Sequence, residues 1–300
     1  MRRREFLLSC AAAGAAPDSI LAHEHVMVDF IGAEKIRPDR YDADEVFRTA
    51  KPKLEEVKRL GCRRLQECTP AYIGRDAVLL ARLQEATGLE IWTNIGIYGA
   101  ANHKFVPDYA RRESAGQLAS RWIAEWRNGI EGVKPRFIKT GVNHGPLAEL
   151  DRKLVRAAAI TSRETGLTIA SHTGNGIAAV EQAEMVLAEK VQASRFVWVH
   201  AQSEKDHSFH EKMAREGFWV EFDGIGPKSA DWHLECVRFM AERNLLSRTL
   251  ISQDAGWYHV GEPGGGDYRS YTYLYTDFLP RLDGSWRKTL MWDNPRMAFG

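Results

Sequence analysis

Four cysteines in 300 residues, Cys10, Cys62, Cys68 and Cys236, are too few and too scattered for a disulfide framework or a CxxC metal knuckle. The three beyond the N-terminal segment are expected as buried small apolar residues. Neither sign of charge prevails: 41 Lys and Arg stand against 40 Asp and Glu, a formal charge of +1. That balance supplies no field toward nucleic acid or an anionic membrane, so partners must be sought at local sites. No apolar run is long enough to cross a bilayer as a helix. A glycine-rich phosphate turn after the first strand-like segment is missing too, which counts against a doubly wound nucleotide-binding sheet. Nor is there a linker, repeat or low-complexity tract, so one domain is the economical reading.

What is present begins with an address. Residues 1–16 carry the order Arg3-Arg4-Glu5-Phe6-Leu7 followed by the small apolar run Ser9 to Ala16, the pattern of a twin-arginine-type signal segment. Used as a leader, it would send the domain of residues 17–300 to the periplasm or outside the cell. A plain basic N-terminus on a cytoplasmic protein is the other reading.

From residue 19 onward, short β-rich segments alternate with longer amphipathic ones. The extended candidates are residues 19–29, 64–69, 90–97, 136–140, 168–172, 196–200, 218–223 and 249–254. Several are continuously apolar, such as Phe196-Val-Trp-Val-His200, as expected of strands buried on both faces. Helical periodicity is clearest in residues 44–60, 147–165, 175–190 and 230–244. Eight such alternations in roughly 280 residues match the period of a single (β/α)₈ barrel, a TIM barrel, which typically takes about 250.

The polar residues at the ends of these strands carry the chemistry. His23 and His25 are two apart on the first strand and so face the same way, into the barrel, where two imidazoles cost free energy unless something binds them. Glu24, between them, is expected to point outward toward the helices. Lys139, His172, His200 and Asp254 end the fourth, fifth, sixth and eighth strands, each before a small or polar loop residue. The C-terminal ends of barrel strands converge on one mouth. Each residue alone has a bland reading: a satisfied histidine, or an aspartate capping a helix. Together they make a nitrogen and oxygen donor set suited to a divalent ion such as Zn²⁺.

This order resembles the amidohydrolase superfamily, and the words around it resemble its phosphotriesterase-related branch: Leu21-Ala-His-Glu-His25, Ile138-Lys-Thr-Gly141, Ser171-His-Thr-Gly174, Val199-His200 and Ser252-Gln-Asp-Ala255. The resemblance runs from about residue 19 to the C-terminus. It implies two divalent metal ions, Zn²⁺ first, with Mn²⁺, Co²⁺ or Fe²⁺ as alternatives. It further implies that a carbamate on Lys139 bridges them, with His23, His25 and Asp254 on one ion and His172 and His200 on the other. Asp254 would move the proton, and Tyr98, in Gly96-Ile-Tyr98-Gly99, would stand near a substrate carbonyl or pack the mouth. The implied function is hydrolysis of a small-molecule ester or lactone, with phosphotriester cleavage as a side activity. Amidase or deaminase chemistry and a non-catalytic metal-binding barrel are the rivals. A homodimer is implied as well, although no surface stripe marks its interface.

The chain also departs from the pattern. Lactonase-like relatives often carry Asp-Arg after the seventh strand, whereas this chain has Asp223-Gly224, and Gln253 stands where histidine is more usual. His144 and His259 are expected on the surface. Residues 257–266, with aromatics and three consecutive glycines, read as a hinged lid.

Overall fold

In the computed structural model, which describes residues 17–300, the expected strands form one ring. They are β1 Ser19–Val28, β2 Cys62–Glu67, β3 Glu90–Trp92, β4 Asn94–Ile95, β5 Phe137–Val142, β6 Ile169–Thr173, β7 Phe196–Val199, β8 Trp219–Phe222, β9 Thr249–Ile251 and β10 Gly256–His259. All pair in parallel, in the orders β10-β1-β2-β3 and β4-β5-β6-β7-β8-β9. β3 and β4 are the two halves of the third barrel strand, interrupted at Thr93. Backbone bonds from Asp254 N to His23 O (3.1 Å) and from His25 N to Ala255 O (2.9 Å) join the last strand to the first. The architecture is therefore the (β/α)₈ barrel that the alternation predicts. The proposed leader at 1–16 lies outside the described residues.

Between strands run α1 Ala43–Arg59, α2 Ala77–Thr87, α3 Asp108–Arg112, α4 Ala115–Asn128, α5 Glu149–Thr165, α6 Gly176–Ala188, α7 His207–Arg215 and α8 Ala230–Glu242. α1 starts where Asp42 accepts from Asp44 N and buries Val46, Ala50, Leu54 and Val57 on one stripe. α5 stops at Gly166, whose φ of +74° suits a residue without Cβ. α2, α4 and α7 escape the periodicity reading because their apolar stripes are short. α4 is nevertheless marked locally by a capping box between Ser114 and Gln117.

Two apolar layers result. The larger fills the space between strands and helices. A separate cluster of Ala22, Cys68, Phe137, Ala170, Val197, Val199, Trp219 and Leu250, with Ala298 and Phe299, forms the barrel's interior floor. Phe137, Ala170 and Trp219 each lie two residues before Lys139, His172 and Glu221, so alternation puts those polar groups on the same inner face, one layer higher. Cys62, Cys68 and Cys236 are free and buried, as expected. Among the described residues no helix is long and apolar enough to cross a membrane.

The expected eighth strand, 249–254, ends early. β9 stops at Ile251, and the chain turns through Asp254 at φ +50° before re-entering beside β1 as β10. The expected lid is likewise corrected. Gly256 and Arg269 exchange backbone hydrogen bonds of 3.0 and 2.9 Å, which pins the start of this excursion to its end. Gly265 packs so tightly on Tyr258 that a Cβ there would lie 2.3 Å from its ring, so the glycine run makes a tight turn rather than a hinge.

Candidate metal centre

All seven residues singled out from sequence line one cavity of about 110 Å³ at the C-terminal mouth: His23, His25, Tyr98, Lys139, His172, His200 and Asp254. Val28, Phe30, Cys68, Pro70, Ile73 and Trp257 complete its wall. The imidazoles are neighbours, with ring centroids 4.4 Å apart for His172–His200, 5.0 Å for His23–His200 and 5.4 Å for His23–His25. His144 is exposed, as expected. His259 is half-buried and 6.0 Å from the Phe30 ring.

Glycine lets the strands carrying these residues approach closely. A Cβ on Gly256 would lie 1.8 Å from His25 O, and one on Gly96 would lie 2.2 Å from Lys139 O. Both glycines have positive φ, +91° and +119°. His200 and Asp254 instead take left-handed backbone without being glycine, at φ +63° and +50°. Such conformations cost about 1 kcal/mol or more and gather at functional sites.

Hydrogen bonds fix which nitrogen of each imidazole looks into the cavity. Thr69 Oγ1 donates its one proton to Glu67 (2.5 Å) or to Met27 O (3.0 Å), so at 2.8 Å it can only accept from His25 Nδ1. His25 Nε2 is then a bare lone pair, 3.1 Å from Asp254 Oδ1, which has no hydrogen-bond donor. Asp223 does the same for His200. Its Oδ1 lies 2.5 Å from His200 Nδ1, and the carboxylate also accepts from His200 N and Gln202 Nε2, whereas His23 Nδ1 is 3.1 Å from Oδ2 but not in line for a hydrogen bond. His23 Nε2 is left 3.9 Å from Asp254 Oδ1. Three acceptors thus converge with no proton among them, an arrangement that repels itself unless a cation sits between.

The electrostatics agree. Burial, then the charge of Lys139, pulls His23 down to about 4. Burial likewise lowers His25, and it takes His172 well below the usual imidazole range. Burial opposes the charge on His200 as well, but the Asp223 carboxylate holds it above its ordinary value. Despite burial, the Asp254 carboxyl is held below the usual range by positive charge on the histidine side of the cavity, the side where a cation would sit. Neutral His23, His25 and His172 and an ionised Asp254 are the protonation states in which these groups bind metal, whereas Asp223 holds His200 toward its charged form. Lys139 is 2% exposed and makes no side-chain hydrogen bond or ion pair among the described residues. An isolated buried ammonium is costly, so this lysine too requires a partner.

Two groups of histidine and carboxylate atoms have the spacing to hold a metal ion: His23, His25 and Asp254, and His23, His200 and Asp223. The second brings in Asp223, which the sequence reading placed at the end of the seventh strand without a role in the metal site. With both oxygens taken up by His200 and Gln202 donors, Asp223 orients His200 from behind and lies 3.1 Å from His23 Nδ1. Glu221, two residues earlier, is fully buried 3.5 Å from His23 Nδ1, and burial, then Asp223, raises its carboxyl well above the usual range. The two-residue spacing that picks out His23 and His25 marks Glu221 and Asp223 equally. Glu24 departs from expectation. The pairing of β1 with β2 slips between Leu21 and Glu24, and the carboxylate accepts from Ser252 Oγ (2.7 Å), Gln253 N (3.1 Å) and Ala255 N (2.7 Å) instead of facing helices. Gln253 binds Tyr271 O and Leu274 N, so it secures the C-terminal segment and stays out of the cavity.

Known proteins share this frame. The phosphotriesterase homology protein of Escherichia coli (strain K12) is 28% identical over 268 residues, covering 87% of this chain and 89% of that protein. A crystal structure of a phosphotriesterase homology protein from Escherichia coli, complexed with phosphate in its active site, aligns with a TM-score of 0.80 at 25% identity, over 94% of this chain and 99% of that one. An N-acetyltaurine hydrolase of Rattus norvegicus is 27% identical over 240 residues, 72% of this chain and 65% of its own length. A phospho-furanose lactonase of Mycoplasmopsis synoviae (strain 53) is 23% identical over 238 residues, 71% of this chain and 67% of its own. The phosphotriesterase family model matches residues 11–299, a span that includes every strand contributing to the cavity, and the chain belongs to that family of hydrolases.

Proposed function

We propose that this chain is a two-metal hydrolase of ester-like bonds, with a lactone or carboxylate ester as its main substrate and phosphotriester cleavage as a side activity. The reading is carried by the convergence of His23 Nε2, His25 Nε2 and Asp254 Oδ1 beside a buried lysine that has no partner among the described residues. His23, His25 and Asp254 would hold one ion, and His172 and His200 the other. Lys139 would serve both as a carbamate: its neutral amine adds to carbon dioxide, an N–C bond forms as one C=O π bond opens, and one proton leaves, turning a neutral group into an anion. The nitrogen and oxygen donors suit Zn²⁺, and Mn²⁺, Co²⁺ or Fe²⁺ fit the same set. Such ions, when bound, supply Lewis-acid polarisation of a C=O or P=O group and a hydroxide nucleophile at neutral pH.

The chain's own groups do the rest. Asp254, held ionised beside His25, takes the proton lost as water adds to the substrate and passes it to the leaving oxygen. Tyr98, kept protonated by burial, offers its phenol as a donor to the substrate carbonyl or ring oxygen. Asp223 and Thr69 keep the rings of His200 and His25 aimed inward. Val28, Ile73 and Trp257 exclude water from a cavity whose small volume suits the planar head of a lactone or ester.

Chelation and Lys139→Ala should each abolish hydrolysis, and the loaded wild type should contain about two ions per chain by elemental analysis. Full activity after either treatment ends the proposal. A panel of lactones, aryl esters, N-acetylated amines and phosphotriesters then ranks the bond types. Faster turnover of the amides than of any ester would move the assignment to amide hydrolysis.

A further inference from the structure

Gly224 leaves the end of β8 without a side chain, and a guanidinium reaches the mouth from another element. Arg269, paired backbone to backbone with Gly256, donates from Nη2 to the carbonyl of Asp254, and its Cζ lies 5.5 Å from the Trp257 ring. A second cation, Lys104, donates from Nζ to Phe30 O (2.5 Å) and lies 5.5 Å from the Phe105 ring. Phe30 stands between the two, 5.5 Å from Trp257 and 6.0 Å from Phe105. Both cations are exposed, and neither pairs with a carboxylate among the described residues. Glu262, from the same excursion as Arg269, faces His259 at 4.0 Å instead. The loop carrying Lys104 is locked: Ala101, Asn102 and His103 take three successive left-handed conformations, with Asn143 and Asp151 gripping His103. Strain of this kind persists only where surrounding contacts enforce it.

We propose that Arg269 and Lys104 form an anion-recognition rim, so that the preferred substrate carries a carboxylate or phosphate on the side away from the bond that is cut. This rests on the hydrolytic reading of the cavity. A space of about 110 Å³ accepts only the reacting head of a substrate. The remainder must cross the Phe30 and Trp257 wall, and beyond it meets two positive charges with donors to spare.

The test compares matched substrates on the metal-loaded protein: 4-nitrophenyl butyrate against the mono-4-nitrophenyl ester of glutaric acid, and a pentono-1,4-lactone against its 5-phosphate. The anionic member of at least one pair should have the higher kcat/KM, and the pair that shows it tells carboxylate from phosphate. Arg269→Gln should reduce that anionic-to-neutral ratio by about tenfold, the scale of one charge-assisted hydrogen bond, and Lys104→Gln by less. Because the ratio is read, any general loss from disturbing Asp254 divides out. A wild-type ratio of one or below in both pairs, or a ratio unchanged in Arg269→Gln, overturns the proposal. If no substrate in the panel is turned over, the hydrolytic reading is what fails. Calorimetric binding of the phosphorylated hydroxy acid to wild type and Arg269→Gln then decides the rim separately, equal affinities counting against it.

Discussion

The two halves of the metal centre are held by different means. Lys139 and His172 sit in regular parallel ladder, with Lys139 level with Ala170 and His172 level with Gly141 and Val199. Backbone pairing sets their height and spacing, and Tyr98 adjusts the His172 ring from the side. His23, His25 and Asp254 lie instead at the seam where the barrel closes, and there the ladder breaks between β9 and β10. The amides freed by that break must still be satisfied, since they are buried. Glu24 takes those of Gln253 and Ala255, and Glu67 takes those of Val26 and Thr69. Where strand pairing stops, buried carboxylates take over its work, and they make Asp254 as firmly placed as a ladder residue.

Removing Glu24 should therefore produce the largest structural effect. Glu24→Ala leaves the Ser252 hydroxyl and the Gln253 and Ala255 amides buried without an acceptor, a loss of about 3 kcal/mol or more at 1–3 kcal/mol per orphaned group. The urea midpoint reads it, and a loss below about 1 kcal/mol would mean that the seam holds itself. Asp223→Asn should cost less and in a different quantity. The fold keeps its ladder, but His200 loses the carboxylate that fixes its tautomer, so metal affinity should fall about 10- to 100-fold in a chelator competition. Unchanged affinity would reduce Asp223 to packing.

Acid should weaken the Asp223 side through His210. Its Nε2 donates to Ala201 O, directly after His200, and burial lowers its pKa from 6.5 to about 4. Below about pH 6.5 the unfolded chain takes up a proton that the folded chain refuses until about pH 4. The contribution is thus fully present above that window, declines as pH falls through it and is flat beneath it, by at most about 3 kcal/mol. His210→Gln, which keeps an amide donor for Ala201, should flatten that part of the stability–pH curve relative to wild type. Parallel curves would exclude His210 as a source of the slope.

The ladder half was legible in sequence because both of its signals are local: an apolar run names the strand, and its last polar residue faces the mouth. The seam was legible only in part. His23 and His25 follow from alternation, but the early end of β9 does not, because Ser252, Gln253 and Asp254 continue a strand-like pattern while the Ser252 hydroxyl and the Gln253 amide go to a side chain more than 220 residues away. Glu24 shows why alternation misleads there: one slip in register turns an outward residue onto the neighbouring strand end. Tyr258 and Glu262 lie against Gly265 and Gly266, contacts that the glycine run itself does not announce. Arg269 gives no signal at all, since only the long-range pairing with Gly256 carries it to the mouth.

The smallest effect expected is at Tyr98, where the ladder half meets the substrate. Its phenol lies 3.1 Å from His172 Nδ1, with the ring edge-on to His172 at 5.0 Å and to Phe105 at 5.9 Å. Gly141 gives that ring its room, since a Cβ there would be 2.9 Å from it. Tyr98→Phe keeps every ring contact and deletes one hydroxyl, so stability should change by less than about 1 kcal/mol. A phenol that only steadies His172 would lower metal content when lost and leave turnover per bound ion alone. A phenol that also serves the substrate would leave metal content alone and lower kcat/KM by about fivefold, the worth of one neutral hydrogen bond. The second outcome is expected, because a neutral His172 would give its lone pair to a bound ion, which would free the phenol O–H for a carbonyl. Metal content and kcat/KM measured on one preparation separate the two, and a loss of metal with unchanged turnover per ion would return Tyr98 to the supporting shell of His172.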